Sequence, residues 1–415
     1  MSRTNWAGNV TFTAARVGRP ATVVQLRELI AGSTKARAVG SGHSFSRIAD
    51  TTGVLLSLDD LPRMVWIDEE RLAVTVGAAV RYGELAARLH QAGYALPNLA
   101  SLPHICVAGA CATGTHGSGD GNACLAAAVS AVEMVTADGE LVTVSRTSDG
   151  FAGLVVALGA LGVVTSLTLT IEPAFTVRQW VYDDLPRNQL DAHFAEIFAS
   201  AYSVSVFTDW RPPYTGRVWL KHRVSADDSW TPQPRWLDAR LADVALHPVP
   251  GMDPAHTTQQ LGVPGPWFER LPHFRPEYTP SSGDELQSEY LVPRELAVQA
   301  LAALNPIARQ IAPVLRIAEI RTIAADDLWL SPCYRRDSAA FHFTWRPDAE
   351  AVTPVLAAIE ERLAPFGARP HWGKLFVMNP APLYPRLPDF RNLMARYDPD
   401  GKFRNEFIDR YLPAH

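Results

Sequence analysis

Two glycine-rich loops, each carrying a histidine and each opening off an apolar run, constrain this chain more than any other feature. The first is Gly40-Ser41-Gly42-His43-Ser44-Phe45, which follows the run Ala36 to Val39. Glycine permits positive φ and has no Cβ, so main-chain N–H groups can approach a phosphate closely. A Rossmann dinucleotide fingerprint needs a third glycine where Phe45 stands, and Ser46 to Thr52 shows no helical pattern. Alone, the loop is equally compatible with a plain turn. The second loop, Ser101-Leu-Pro-His-Ile-Cys-Val-Ala-Gly-Ala-Cys-Ala-Thr-Gly-Thr-His-Gly-Ser-Gly119, interleaves Gly109, Gly114, Gly117 and Gly119 with hydroxyls. It lacks the Gly-Lys-Ser/Thr ending of a P-loop, which argues against an NTPase. Two such loops suit a long cofactor better than a single phosphate.

The rest of the chain reads as ordinary globular protein. Hydrophobic residues make up 47% and charged residues 20%, enough to bury a sizeable core. The net charge is −5 and no Lys/Arg run stands out, so neither nucleic acid nor an anionic membrane surface is an expected partner. There is no run of about 18 apolar residues and no apolar leader in Met1 to Asn9, so a cytoplasmic location is expected. Cys106, Cys111, Cys124 and Cys333 form no Cys-x-x-Cys pair, and they read as buried small side chains rather than a disulfide framework or a metal site.

Ala21 to Ile30 is expected to be a helix, with Thr22 and Gln25 as a capping box. Strand runs follow at Val54 to Leu58 and Leu72 to Val76, then a helix from Arg81 to Ala92. Val132 to Thr136 and Leu141 to Val144 flank Asp138-Gly139, a hairpin signal. The strand Thr165 to Ile171 completes an α+β unit ending near Pro173. Beyond Thr176, Val204 to Trp210 and Arg217 to His222 read as antiparallel strands. Asp227 to Ser282 is rich in Pro and Trp (Trp230, Trp236, Trp267) and reads as an irregular excursion that shapes one wall of a pocket. Arg294 to Leu304 is an amphipathic helix, and Thr353-Pro354 is expected to open another as N-cap and first helical residue. Strands are expected at Arg316 to Thr322, Phe341 to Trp345 and Trp372 to Val377. The resulting domains are 1–175, 176–388 and a C-terminal segment, 389–415.

Three of these strands offer polar groups. In Glu319-Ile320-Arg321 the charged residues are i and i+2, so both leave one face. A surface ion pair contributing under about 1 kcal/mol is the simpler account of that motif alone. His342-Phe343-Thr344 repeats the pattern. His371 and Lys374 have odd spacing, so on a regular strand they face opposite sides, with Trp372 on the lysine's face. Together, three strands with polar groups on one face build a hydrogen-bonding pocket suited to a polyol, whose hydroxyls each want a donor and an acceptor.

The two loops, together with Thr4-Asn5-Trp6-Ala7-Gly8-Asn9 and Lys402-Phe403-Arg404-Asn405, resemble the vanillyl-alcohol-oxidase-type flavoproteins over nearly the whole chain. Within that family the bacterial alditol oxidases match best, with the sugar-lactone oxidases as cousins. The resemblance implies an α+β, two-domain FAD-binding fold whose substrate domain is an antiparallel sheet backed by helices, with the tail returning to the FAD domain. It implies FAD bonded covalently through His43. Val39, Gly40, Ser41, Gly42 and Ser44 would lie along the cofactor, with Gly109, Thr113, Gly114, Thr115 and His116 cradling its pyrophosphate and ribityl chain. A backbone amide near Val164 would meet the adenine and His371 the isoalloxazine edge. Cys106 stands where the family often has serine, a better hydrogen-bond partner. The matching substrate positions are Ser101, Glu319, Arg321, His342, Thr344 and Lys374, and Ala100 sits where the family gates oxygen.

The implied reaction passes hydride from a terminal CH–OH carbon to flavin N5, giving an aldose from xylitol or sorbitol, with O2 reduced to H2O2. Lys374 and Arg321 would stabilise the developing negative charge on the reacting oxygen. Either His342, or Lys374 with a pKa lowered by burial, would take the hydroxyl proton. A monomer acting on a small polyol is expected, with no metal. The alternative in the same chemistry is a sugar-lactone oxidoreductase using oxygen or another acceptor. Rivals of other classes are a metal-dependent hydrolase built on His43, His104 and His116, which lacks ligand spacing, and a carbohydrate-binding protein without flavin.

Overall fold

The computed structural model describes residues 3–225, 230–278 and 284–413. Thr22 caps the helix Val23–Ala31 by accepting from the Gln25 amide at 3.2 Å; Gln25 Oε1 accepts from the Ala21 amide, one residue ahead of the N-cap amide that a capping box would use, so only the N-cap half of the expected box forms. That helix connects strands of a parallel three-stranded sheet in the order Arg16–Gly18, Val54–Ser57, Ala36–Val39. A five-stranded antiparallel sheet follows, in the order Val65–Asp68, Ala73–Gly77, Val163–Thr170, Val129–Val135, Leu141–Ser145. The last two form the expected hairpin, turned by Gly139 at φ 86°.

A ten-stranded antiparallel sheet dominates the second half. Its central strands run Thr176–Pro186, Thr215–Val224, Ser203–Thr208, Leu315–Ile323, Ser338–Trp345, Leu286–Pro293. One face is apolar: Ile320, Phe341, Phe343 and Tyr290 pack against the helices Ala297–Leu304 and Ala349–Leu363. Alternation therefore sends the polar residues of the same strands to the other face. From the stretch 227–282, residues 227–229 and 279–282 lie outside the described residues. The described remainder is irregular, with the short strands Arg235–Trp236, Ala239–Leu241 and Gly265–Pro266 and the 3-10 turns Pro254–His256 and Trp267–Glu269.

Two expectations are corrected. The helix Ala349–Leu363 begins ahead of Thr353, capped by Asp348, whose carboxylate accepts from the Ala351 amide. Pro354 lies inside the helix, and Thr353 donates its hydroxyl to the Ala349 carbonyl. Trp372 to Val377 is not a strand. The Lys374 amide bonds back to the His371 carbonyl at 3.0 Å, making a turn, because Trp372 is drawn into the core with its Nε1–H on the Leu330 carbonyl.

The C-terminal stretch bonds to the first fifty residues. Lys402 donates to the Ile30 and Ala137 carbonyls, and buried Arg37 donates to the carbonyls of Phe403, Gly159, Leu158 and Ile48. Asn405 caps the helix Glu406–Tyr411 and holds the carbonyls of Arg47, Ile48 and Asp50. Phe390, Phe407 and Tyr411 join the core formed by the five-stranded sheet, Leu154 and Trp329. Among the described residues no helix is long and apolar enough to cross a membrane.

Candidate active site

One cavity runs between the two glycine-rich loops and the polar face of the large sheet. Direct ties hold these walls together. Gly119 donates its amide to the Thr322 carbonyl at 2.8 Å, Phe45 to the Gly373 carbonyl at 2.7 Å, and His273 to the Ser101 carbonyl at 3.1 Å. All the sequence-predicted site residues line the cavity except Gly114. Gly114 turns at φ 68° against Pro332, so it shapes the loop from outside the cavity. His247, Pro248, Val249, Met252, Phe274 and Tyr278, from the Pro- and Trp-rich stretch, line a further wall.

At the first loop, the N-terminal segment holds His43 from one side. The Trp6 amide donates to the Gly42 carbonyl, Asn5 Nδ2 to Ser44, and Asn9 Nδ2 to Phe45. The Trp6 ring stacks on the imidazole at 4.9 Å and 16°. Burial pushes His43 down to about 4, a backbone contact at Ser41 offsetting only part of the shift. The imidazole is therefore neutral, and neither ring nitrogen makes an aligned hydrogen bond to protein. A Cβ at Gly109 would meet nothing within 4 Å, so it would project into open cavity. A shielded imidazole with free nitrogens beside such a cradle fits a cofactor bonded to it. Cys106 donates its thiol to the Ala79 carbonyl, and its amide bonds to Ser41 Oγ.

On the sheet, Glu319 stands opposite His342, and His342 opposite Glu289 on the next strand. Arg321 Nη2 donates to Glu289 Oε1 at 2.8 Å and Nη1 to Ser101 Oγ at 3.3 Å. The Arg321 Nε is 3.5 Å from Glu319 Oε1, an ion-pair contact without hydrogen-bond alignment. Lys374 Nζ lies 2.8 Å from Glu289 Oε2 and 2.6 Å from His342 Nδ1, and His342 Nε2 is 3.1 Å from Thr344 Oγ1. The turn at 371–374 delivers both His371 and Lys374 to the cavity, the opposite of what a regular strand would do.

The site is electrostatically self-contained. Burial alone would raise Glu289, but Lys374, then His116 and Arg321, outweigh it and hold the carboxyl well below its usual range. Glu319 is held down in the same way, burial being outweighed by Arg321 and His273. Burial lowers Lys374, with Glu289 pulling against it. Burial and the Lys374 charge push His342 down to about 4. Lys374 and His342 share a short hydrogen bond, so they take up or release a proton as a pair.

Several residues of the site escaped the sequence reading. Glu289, 1% exposed, is the hub that joins Arg321 to Lys374. Its strand carried the same i, i+2 signal, since Gln287 and Glu289 both line the cavity with Ser288 turned away to accept from Trp345 Nε1. His116, expected along the cofactor, also reaches the hub, with Nε2 3.3 Å from Glu289 Oε1. His273 and Lys221 are further members, joined to Glu319 in series. Nothing in the local pattern marks them.

Comparison with known proteins follows the same lines. Residues 14–145 match the FAD binding domain family, and residues 284–411 match the D-arabinono-1,4-lactone oxidase family. An alditol oxidase from Streptomyces sp. is 54% identical over 98% of this chain and 97% of its own length. An L-gulono-1,4-lactone dehydrogenase from Mycobacterium tuberculosis is 29% identical over 98% of each chain. The cholesterol oxidase of B. sterolicum superimposes with a TM-score of 0.78 at 15% identity, over 99% of this chain and 96% of that one. The fold is thus that of the large FAD-dependent oxidases.

Proposed function

We infer that this chain, which belongs to the alditol oxidase family, is an FAD-dependent oxidase of the terminal primary alcohol of alditols such as xylitol and sorbitol, forming the aldose and H2O2. The observation that carries the reading is the buried face Glu289, Glu319, Arg321, His342 and Lys374, which shares one cavity with His43. A polyol is almost all hydroxyl, and this face offers acceptors, fixed donors and a proton-accepting pair side by side.

Residues 1–175 with 389–415 form the cofactor half in this reading, and 176–388 the substrate half. FAD, when bound, supplies the hydride acceptor. His43 would be the covalent anchor, its imidazole being neutral and nucleophilic beside the cavity. Val39 to Ser44, Gly109, Thr113, Thr115, Val164 and His371 hold the cofactor along the cavity. Glu319 and Ser101 orient substrate hydroxyls. Arg321 stabilises negative charge developing on the reacting oxygen, joined by Lys374 as its pair takes up the proton, in a site where burial strengthens that interaction. The Lys374–His342 pair accepts the hydroxyl proton, since His342 is neutral and burial favours the uncharged amine.

The test is a visible spectrum of purified protein before and after acid precipitation. Yellow colour is expected in the washed pellet and absent from the His43→Ala pellet. Colour released to the supernatant by the parent would sink the covalent bond. Peroxide is expected with xylitol and sorbitol. The matched lactone-oxidase region, 284–411, favours a second reading, oxidation of a sugar lactone. Turnover of a lactone but of no alditol would select it.

A further inference from the structure

Behind Glu319, outside the cavity, lies a buried lysine that the reaction as described does not use. Lys221, 1% exposed on the strand Thr215–Val224, directs its Nζ at three acceptors: the Leu271 carbonyl, the Pro272 carbonyl at 3.0 Å, and His273 Nδ1 at 3.2 Å. His273 Nε2 in turn lies 2.8 Å from Glu319 Oε1. The imidazole is clamped edge-on between Phe207 and Trp219, with centroids at 5.4 and 5.3 Å, so its ring plane is set by packing. What remains to be chosen is the nitrogen that carries the proton.

Donor counting makes that choice. Two of the three acceptors around Lys221 are carbonyls, which can only accept. Burial lowers Lys221 to about 7, with Glu319 pulling against it, so the ammonium is the form present below that pH. An ammonium has three N–H groups and satisfies all three, including His273 Nδ1. Nδ1 then holds a lone pair, and the single ring proton must sit on Nε2, where it donates to Glu319. A neutral amine would spend both its N–H groups on the carbonyls and turn a lone pair toward Nδ1. That would draw the ring proton to Nδ1 and leave Nε2 facing the carboxylate with no proton between them. Burial pushes His273 down to about 4, with Lys221 adding to the shift, so the ring carries one proton and not two.

We propose that Lys221 is a positioning residue for the reaction: its ammonium, donating to Nδ1 while Glu319 accepts at Nε2, holds His273 in the Nε2–H tautomer, which fixes Glu319 Oε1 and leaves Oε2 to accept from a substrate hydroxyl. The mechanistic part rests on the alditol-oxidising reading of the site. Glu319 binds a hydroxyl before and during the reaction alike, so its misplacement appears in KM more than in kcat.

Two measurements test this. In 15N-histidine-labelled protein, the signals lost in His273→Gln identify His273, and its Nε2 is expected to be the protonated nitrogen. Lys221→Met should leave the proton on Nε2, where Glu319 still accepts it, and should shift the Nδ1 resonance, whose lone pair loses the ammonium. An Nδ1–H tautomer in the parent at pH 6, or an Nδ1 resonance unchanged by Lys221→Met, would overturn the inference, and this readout needs no substrate. In steady state with xylitol, Lys221→Met should raise KM about tenfold or more, the loss expected when a hydrogen bond to a charged group is disordered, with flavin content unchanged. His273→Ala should do the same, and His273→Gln should recover most of that loss, because the amide N–H reaches Glu319 with no tautomer to choose. Lys221→Met should then cost nothing further on the His273→Gln background. An equal KM penalty there would mean that Lys221 acts by holding residues 271 and 272 and would refute the relay. If Lys221→Met fails to fold, equal KM values for His273→Ala and His273→Gln would refute it as well. A parent that oxidises no alditol defeats the functional reading and leaves the tautomer result to stand or fall separately.

Discussion

Replacing Glu289 by glutamine removes one charge from the hub while keeping its shape. The parent carboxylate is 2.8 Å from both Arg321 Nη2 and Lys374 Nζ. At an effective dielectric of about 20, each contact is an attraction of about 6 kcal/mol, opposed by several kcal/mol for burying each ion. Removing one partner from a buried ion pair costs about 3–5 kcal/mol, because the cations left behind stay buried. The amide still accepts from Arg321, so the lower end, about 3 kcal/mol, is expected. In a chain of 415 residues the unfolding entropy is about 0.9 kcal/mol/K, so Tm should fall by about 3–4 °C at pH 7. The sign with pH follows from a carboxyl held below its ordinary value of 4.5 in the folded state. Its stabilisation is fully present above 4.5 and is lost as pH falls through the folded value, so the gap between parent and Glu289→Gln should narrow in acid. Kinetics add a second sign. Glu289 raises the Lys374 pKa, so its removal should move the acidic limb of kcat/KM to lower pH. Thermal unfolding at several pH values and a peroxide-coupled pH–rate profile provide the measurements. An unchanged Tm at pH 7 together with an acidic limb that stays put or moves upward would refute the hub role.

Further outcomes can be checked individually. Trp6→Ala removes the ring stacked on His43 and should slow covalent flavin incorporation, read as flavin fluorescence on denaturing gels of apoprotein incubated with FAD; an unchanged rate would show that the stack is irrelevant to it. Gly117→Ala would put a Cβ 2.4 Å from the Leu99 carbonyl oxygen, which backbone cannot yield cheaply, so soluble expression should drop sharply; a parent-like yield and melting curve would contradict the packing. Asn405→Ala removes a helix cap and the donor to three carbonyls, costing about 2–3 kcal/mol, or about 2–4 °C in Tm, with KM for alditol unaffected.

Features whose cause lies within a few residues were legible in the sequence. The Thr22 N-cap, the Gly139 turn and the same-face placement of Glu319 with Arg321 and of His342 with Thr344 all follow from local spacing. The turn of the first glycine-rich loop followed locally as well, since Gly42 takes φ 72°. The start of the helix Ala349–Leu363 misled because Thr353-Pro354 is a good start signal, but Asp348 lies upstream and its carboxylate reaches the Ala351 amide first. Lys374 misled for a tertiary reason: Trp372 needs the core and an acceptor at Leu330, which bends the chain into a turn. Alternation tells which face of a strand a side chain leaves, and not which strand lies alongside. That Glu289 meets Arg321 and Lys374, residues far along the chain, was decided by strand pairing and the turn at 371–374. Lys221 shows the limit most plainly. A lysine can be buried only if distant groups supply its acceptors, and here they come from the carbonyls of Leu271 and Pro272 and the ring of His273.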